Sequence, residues 1–89
     1  MATTTRIPLG GIGKYNAFID VVASPGTDGV EIETDSTYVV AAIAGCSTTA
    51  NKAVICTPRT SDHTTAALGS YCLEPEADVT CYVFLVTVD

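Results

Sequence analysis

Tyr38-Val-Val-Ala-Ala-Ile-Ala44 and Val79-Thr-Cys-Tyr-Val-Phe-Leu-Val-Thr-Val88 read as β-strands with apolar side chains on both faces. A strand alternates its side chains, so Val79, Cys81, Val83 and Leu85 point one way and Tyr82, Phe84, Val86 and Val88 the other. In a small antiparallel domain one of those faces normally meets water. A chain of 89 residues buries only roughly 60 to 65% of the surface its unfolded form exposes. The expectation is therefore a strand that is either central and covered twice, or covered on one face by another protein.

Around these stretches lie other short segments rich in Val, Ile, Thr, Tyr and Phe, separated by turn residues at spacings near the about 8 to 12 residues of a sandwich or barrel. Strands are expected at residues 15–23, 29–34, 37–45, 52–57, 67–73 and 79–88. Ser24-Pro-Gly-Thr-Asp28 and Glu74-Pro-Glu-Ala-Asp78 supply turn chemistry between them. Val30-Glu-Ile-Glu33 alternates cleanly, which is the pattern of a half-exposed strand. Ser61–Leu68 could hold one helical turn, with Ser61 or Asp62 as cap and Gly69 as stop. The fold expected is all-β: a small antiparallel sandwich or barrel of about six strands in one domain, residues 15–89. Residues 1–14, with Thr3, Thr4, Thr5, Pro8 and three glycines, read as an extended N-terminal arm.

Composition removes several functions. The net charge is −6, with only Arg6, Lys14, Lys52 and Arg59 as cations, which argues against nucleic acid and against anionic membranes. No run of about 18 apolar residues suggests a transmembrane helix. The amino terminus lacks the pattern of a secretory signal, so the expectation is a chain made and kept in the cytosol. Charged residues make up 16% and apolar ones 47% of the chain, against about 25% charged in an average domain. Such a neutral surface suits packed assemblies.

Motifs that would carry catalysis or ligands are weak. Cys46, Cys56, Cys72 and Cys81 contain no close C-x2-C pair for zinc. They read as thiols packed like small hydrophobes. If strands 37–45 and 52–57 form a hairpin, Cys46 and Cys56 lie about 15 Å apart at roughly 3.3 Å per residue, beyond bridging reach. Cys72 and Cys81 flank the 74–78 turn and form the one local pair worth considering as a disulfide. Ser61-Asp62-His63 holds the residue types of a hydrolase triad, but three consecutive residues cannot meet in the geometry required. Gly10-Gly-Ile-Gly-Lys14 lacks the strand, spacing and helix of a phosphate loop. Asp28, Glu31, Glu33 and Asp35 lack the spacing of a calcium loop and read as a solvated face. An enzyme whose site forms between subunits would have Tyr15, Tyr38, Tyr71, Tyr82 and His63 as material. No cofactor, metal or catalytic residue is expected.

What remains is an interaction module. A small all-β chain with free thiols, low charge, a Thr- and Gly-rich leading segment and a strand running to its end resembles the small decoration or cement proteins, and other minor structural proteins, of tailed-phage virions. The likeness is one of type over the whole chain and carries over no residue. It implies a non-enzymatic virion protein assembled in the host cytoplasm, a homo-oligomer such as a trimer, that binds the major capsid protein or another virion protein. Two surfaces are expected to serve it. The arm would add main-chain hydrogen bonds through Thr3, Thr4 and Thr5 and apolar anchors at Ile7, Leu9 and Ile12. The last strand would offer Tyr82, Phe84, Val86 and Val88. The alternative is a secreted adhesin-like or toxin-like β-sandwich stapled by disulfides, which thiol titration under denaturing, non-reducing conditions separates from the first.

Overall fold

In the computed structural model, residues 2–46, 53–59 and 68–88 are described, Cys46 by its backbone alone. Seven strands form: β1 (Thr3–Ile12), β2 (Tyr15–Ala23), β3 (Val30–Glu33), β4 (Tyr38–Cys46), β5 (Val54–Thr57), β6 (Ser70–Pro75) and β7 (Cys81–Val88). They make two antiparallel sheets, ordered β1-β2-β7-β4 and β3-β6-β5, so the molecule is a sandwich and not a closed barrel. The expected helical turn and the Ser61-Asp62-His63 run lie outside the described residues.

The leading segment is not an arm. Thr3–Ile12 pairs along its length with β2, from Thr3 opposite Ala23 to Ile12 opposite Tyr15. The Pro and Gly that read as breakers are accommodated because this is an edge strand, where Pro8 need not donate to a second neighbour. The register shifts between Pro8 and Gly10, and Gly10 has φ of 116°, so a β-bulge absorbs the irregularity. Gly13 and Lys14 then close a two-residue hairpin, with Gly13 at φ 60°, matching the Gly-X signature of such turns.

Two expected hairpins also fail to form. β4 pairs with β7, and β5 with β6, so strands 37–45 and 52–57 belong to different sheets. The chain likewise crosses between sheets from β6 to β7. Cys72 and Cys81 therefore do not face each other across a turn. Cys81 belongs to the core, whereas Cys72 sits on the other side of β6, opposite Glu31, where it is fully buried and a free thiol. The expected Cys72–Cys81 bridge is absent. β4, read as a candidate central strand, is an edge of the larger sheet, and β7 is central.

Alternation builds the core. Val22, Val39, Cys81, Val83 and Leu85 from the four-stranded sheet meet Ile32, Tyr71 and Leu73 from the other. Each large apolar side chain so buried contributes about 1.5–3 kcal/mol. Between the sheets lies a polar clamp. Asp20 on β2 is fully buried. Arg6 on β1 donates from Nε to Asp20 Oδ1 and from Nη2 to Oδ2, both at 2.7 Å. Tyr71 on β6, in the opposite sheet, donates its hydroxyl to Oδ2 at 2.6 Å. Arg6 Nη2 also reaches the Glu33 carbonyl on β3 at 3.3 Å. The carboxylate thus ties β1 and β2 to the other sheet through charge-assisted bonds.

Loops close the sandwich at its ends. Ser36 Oγ donates to the buried Thr87 Oγ1 at 2.9 Å. Val39 N–H bonds the Leu68 carbonyl at 2.9 Å, and Thr34 binds the Gly69 carbonyl through both N–H and Oγ1 at 2.8 Å. Gly69 is required there because a Cβ would stand 2.7 Å from the Ser36 carbonyl oxygen.

Removing one partner from the clamp strands a buried charge, whereas losing the tyrosine hydroxyl leaves it paired to Arg6. Urea unfolding should show Arg6→Met destabilised by about 3 kcal/mol and Tyr71→Phe by about 1–2 kcal/mol. Equal, negligible losses in both would contradict the clamp.

Candidate functional site: the outer face of the four-stranded sheet

Strand registers fix which residues share the outward side of this sheet. On β7, Cys81, Val83, Leu85 and Thr87 are buried, so Tyr82, Phe84, Val86 and Val88 point outward. Their partners on β2 are Val21, Ile19, Ala17 and Tyr15, and on β4 they are Gly45, Ile43, Ala41 and Tyr38. From β1 come Thr5, Ile7, Gly10 and Ile12. Every one of these residues is uncharged. The face is also exposed, with Phe84 at 42%, Ile43 at 67% and Ile12 at 85% of full accessibility.

The two surfaces expected from sequence thereby become one. β2 lies between β1 and β7 and joins Ile7 and Ile12 to Tyr82, Phe84, Val86 and Val88. Thr3 and Thr5 are on the same side. Thr4 is not: it stands opposite buried Val22 and lines the gap between the sheets with Arg6. Leu9, at the bulge, is exposed and helps to line an apolar groove of 330 Å³ with Ile12, Tyr15, Phe84 and Val86.

Sequence reasoning missed the contributions of β2 and of Tyr38, Val40 and Ile43. β2 reverses the usual pattern, since Asn16 and Asp20 lie on the core-facing side and Tyr15, Ala17, Ile19 and Val21 on the outer one. The signal was present as apolar residues at every second position from Tyr15 to Ala23, but Phe18 and Val22 between them leave the orientation of the strand open in the sequence.

Charge collects elsewhere. Glu31, Glu33 and Glu74 occupy the outer side of the three-stranded sheet, and Asp28, Asp35, Glu76 and Asp78 the loops. Among the described residues no group of three or more His, Cys, Asp or Glu is placed to hold a metal ion. A second cleft, of 600 Å³, opens between β1 and β3 and is lined by Thr4, Arg6, Glu31, Glu33 and Ser70 among others. Its one cation is engaged by Asp20, whose charge and hydrogen bond hold the Arg6 pKa above its ordinary value.

Three groups are held neutral. Burial pushes the Cys56 thiol up to about 12, with smaller effects from Cys72, Cys81 and Asp20. Burial also raises Cys72, helped by Glu31 and Glu74. Tyr71 is raised by burial first and by its bond to Asp20 second. These side chains are inert packing groups, not activated nucleophiles.

Comparison of the chain with protein-family models, with curated proteins and with solved structures finds no match.

Raised folded-state values make a definite pH prediction. Each group supports the fold fully below its unfolded pKa, about 8.5 for a thiol and about 10 for a tyrosine, and loses that support as pH rises toward the folded value. The urea midpoint should hold steady up to about pH 8.5 and fall beyond it, and a Cys56→Ala/Cys72→Ala variant should delay the fall. A midpoint unchanged to pH 11 would contradict the assignment.

Proposed function

We propose that this chain is a non-enzymatic structural protein that binds and stabilises a protein shell, in the manner of the virion decoration proteins it resembles in type. Its partner on this reading is the major capsid protein or another virion protein, met during assembly in the host cytoplasm. The observation that supports it is the uncharged apolar outer face of the four-stranded sheet.

Size gives that observation its weight. Four strands about 4.8 Å apart and some eight residues long at about 3.3 Å per residue cover on the order of 500 Å². Exposed apolar patches above about 400 Å² on a soluble domain mark binding surfaces. At roughly 25 cal/mol per Å², covering this side alone contributes on the order of 10 kcal/mol, against an association cost of about 4–15 kcal/mol. The face can therefore drive a contact of modest strength by itself. On a shell, where symmetry repeats and links each contact, modest strength suffices.

The secreted, stapled alternative needs its cysteines paired. Among the described cysteines Cys56 and Cys72 are free thiols, which favours the first reading.

Cosedimentation provides the test. Shells assembled from the capsid protein of the genome encoding this chain should bind the purified protein saturably, at a fixed copy number per shell. Failure of the protein to sediment with such shells would overturn the reading.

A further inference from the structure

We infer that the outer face of the four-stranded sheet is covered by a second copy of this chain, forming a two-fold dimer in which the two sheets stack face to face. This goes beyond the reading above: the face is taken by a second copy, and it is the dimer so formed that meets the shell.

Charge is the first argument. A chain of net charge −6 repels its own copies unless they meet where charge is absent. The outward strand residues of β1, β2, β7 and β4 carry none, Lys14 Nζ reaching only the rim of the face, 5.6 Å from the Tyr15 ring centroid, and Glu31, Glu33 and Glu74 sit on the opposite sheet. Pairing through the neutral faces places the acidic sheets of the two copies on the far sides of the dimer.

Area is the second. About 500 Å² from each copy gives about 1,000 Å² in all, the size at which specific interfaces begin.

Self-complementarity is the third. The registers align Ile12, Tyr15, Val88 and Tyr38 in one row across the sheet. A two-fold axis running along the strands between β2 and β7 keeps each row at its level and exchanges the two edges. Tyr38 of one copy then stands over the β1 edge of the other, at the end where the bulge opens the 330 Å³ groove lined by Leu9, Ile12, Tyr15 and Phe84. Tyr38 is half exposed on its own edge. Each copy thus supplies one projecting ring and one apolar groove, the reciprocal arrangement that a two-fold contact requires. An aromatic ring seated in a water-excluded groove is the usual anchor of such interfaces. Stacked sheets pack about 10 Å apart, and the inherent twist sets their strands at about 30°.

The dimer so formed presents two acidic sheets facing away from each other. It is suited to bridge two cationic sites on a shell.

Sedimentation equilibrium of the full chain from 1 to 500 μM, an arbitrary range of about that span chosen to bracket micromolar association, tests the proposal. The unaltered protein should show a concentration-dependent monomer–dimer equilibrium. Phe84→Lys, Tyr38→Glu and the milder Tyr38→Ala should each raise the dissociation constant at least about tenfold. Ile55→Lys, on the other sheet, should leave it unchanged. Circular dichroism and urea midpoints verify that each variant is folded. A protein that stays monomeric throughout, or a dimer insensitive to both Phe84 and Tyr38 substitutions, overturns the pairing. Shell cosedimentation is read separately: a monomer that binds shells sinks the dimer alone, whereas a dimer that binds no shell sinks the functional reading alone.

Discussion

A single buried carboxylate organises this sandwich. Asp20 has no access to solvent, accepts two bonds from Arg6 and one from Tyr71, and so couples the first hairpin to the opposite sheet. Burying an ion pair is seldom worth more than a well-packed apolar replacement. Its effect here is on orientation. Because side chains alternate, fixing Asp20 inward commits Tyr15, Ala17, Ile19 and Val21 to the outer face. A slip of one residue would expel the carboxylate and reverse the whole strand. The clamp therefore decides which side of β2 meets solvent, and the apolar outer face follows from it.

The same constraint explains the molecule's two-sided character. With one acid taken inside, the remaining described acids occupy the three-stranded sheet and the loops, and the four-stranded sheet is left neutral. Its edges are protected in different ways. Pro8 and the bulge at Gly10 interrupt β1, while β4 is shifted between Val39 and Ala41 and bonded at Val39 to the Leu68 carbonyl. Irregular edges discourage open-ended strand addition. The broad apolar face is not interrupted in this way, which favours stacking over edge-to-edge growth.

Much of this was legible in the sequence. Alternation placed Val83 and Leu85 against Tyr82 and Phe84 and identified the outward side of β7 as the surface to inspect. All six expected strands form, with ends displaced by a few residues. The pairing of strands was not legible, because turn residues such as Glu74–Asp78 serve a crossing between sheets as well as they serve a hairpin. Nor was the first strand. Pro8 and the glycines near it are breakers in a central strand and tolerable at an edge, and only the sheet order tells the two apart. The clamp was hidden for a related reason: Arg6 and Asp20 are fourteen residues apart, and their meeting depends on β1 pairing with β2.

The central claim is that Asp20 faces inward and the apolar residues of the four-stranded sheet outward. Methyl NMR of the dilute chain with a soluble paramagnetic agent tests it most directly. The methyl signals of Ile7, Ile43 and Val86 should broaden strongly, while those of Val22, Ile32 and Leu85 remain sharp. Protected Ile7 and Ile43 methyls beside broadened Val22 and Leu85 methyls would mean that the sheet is turned the other way, and would contradict the account.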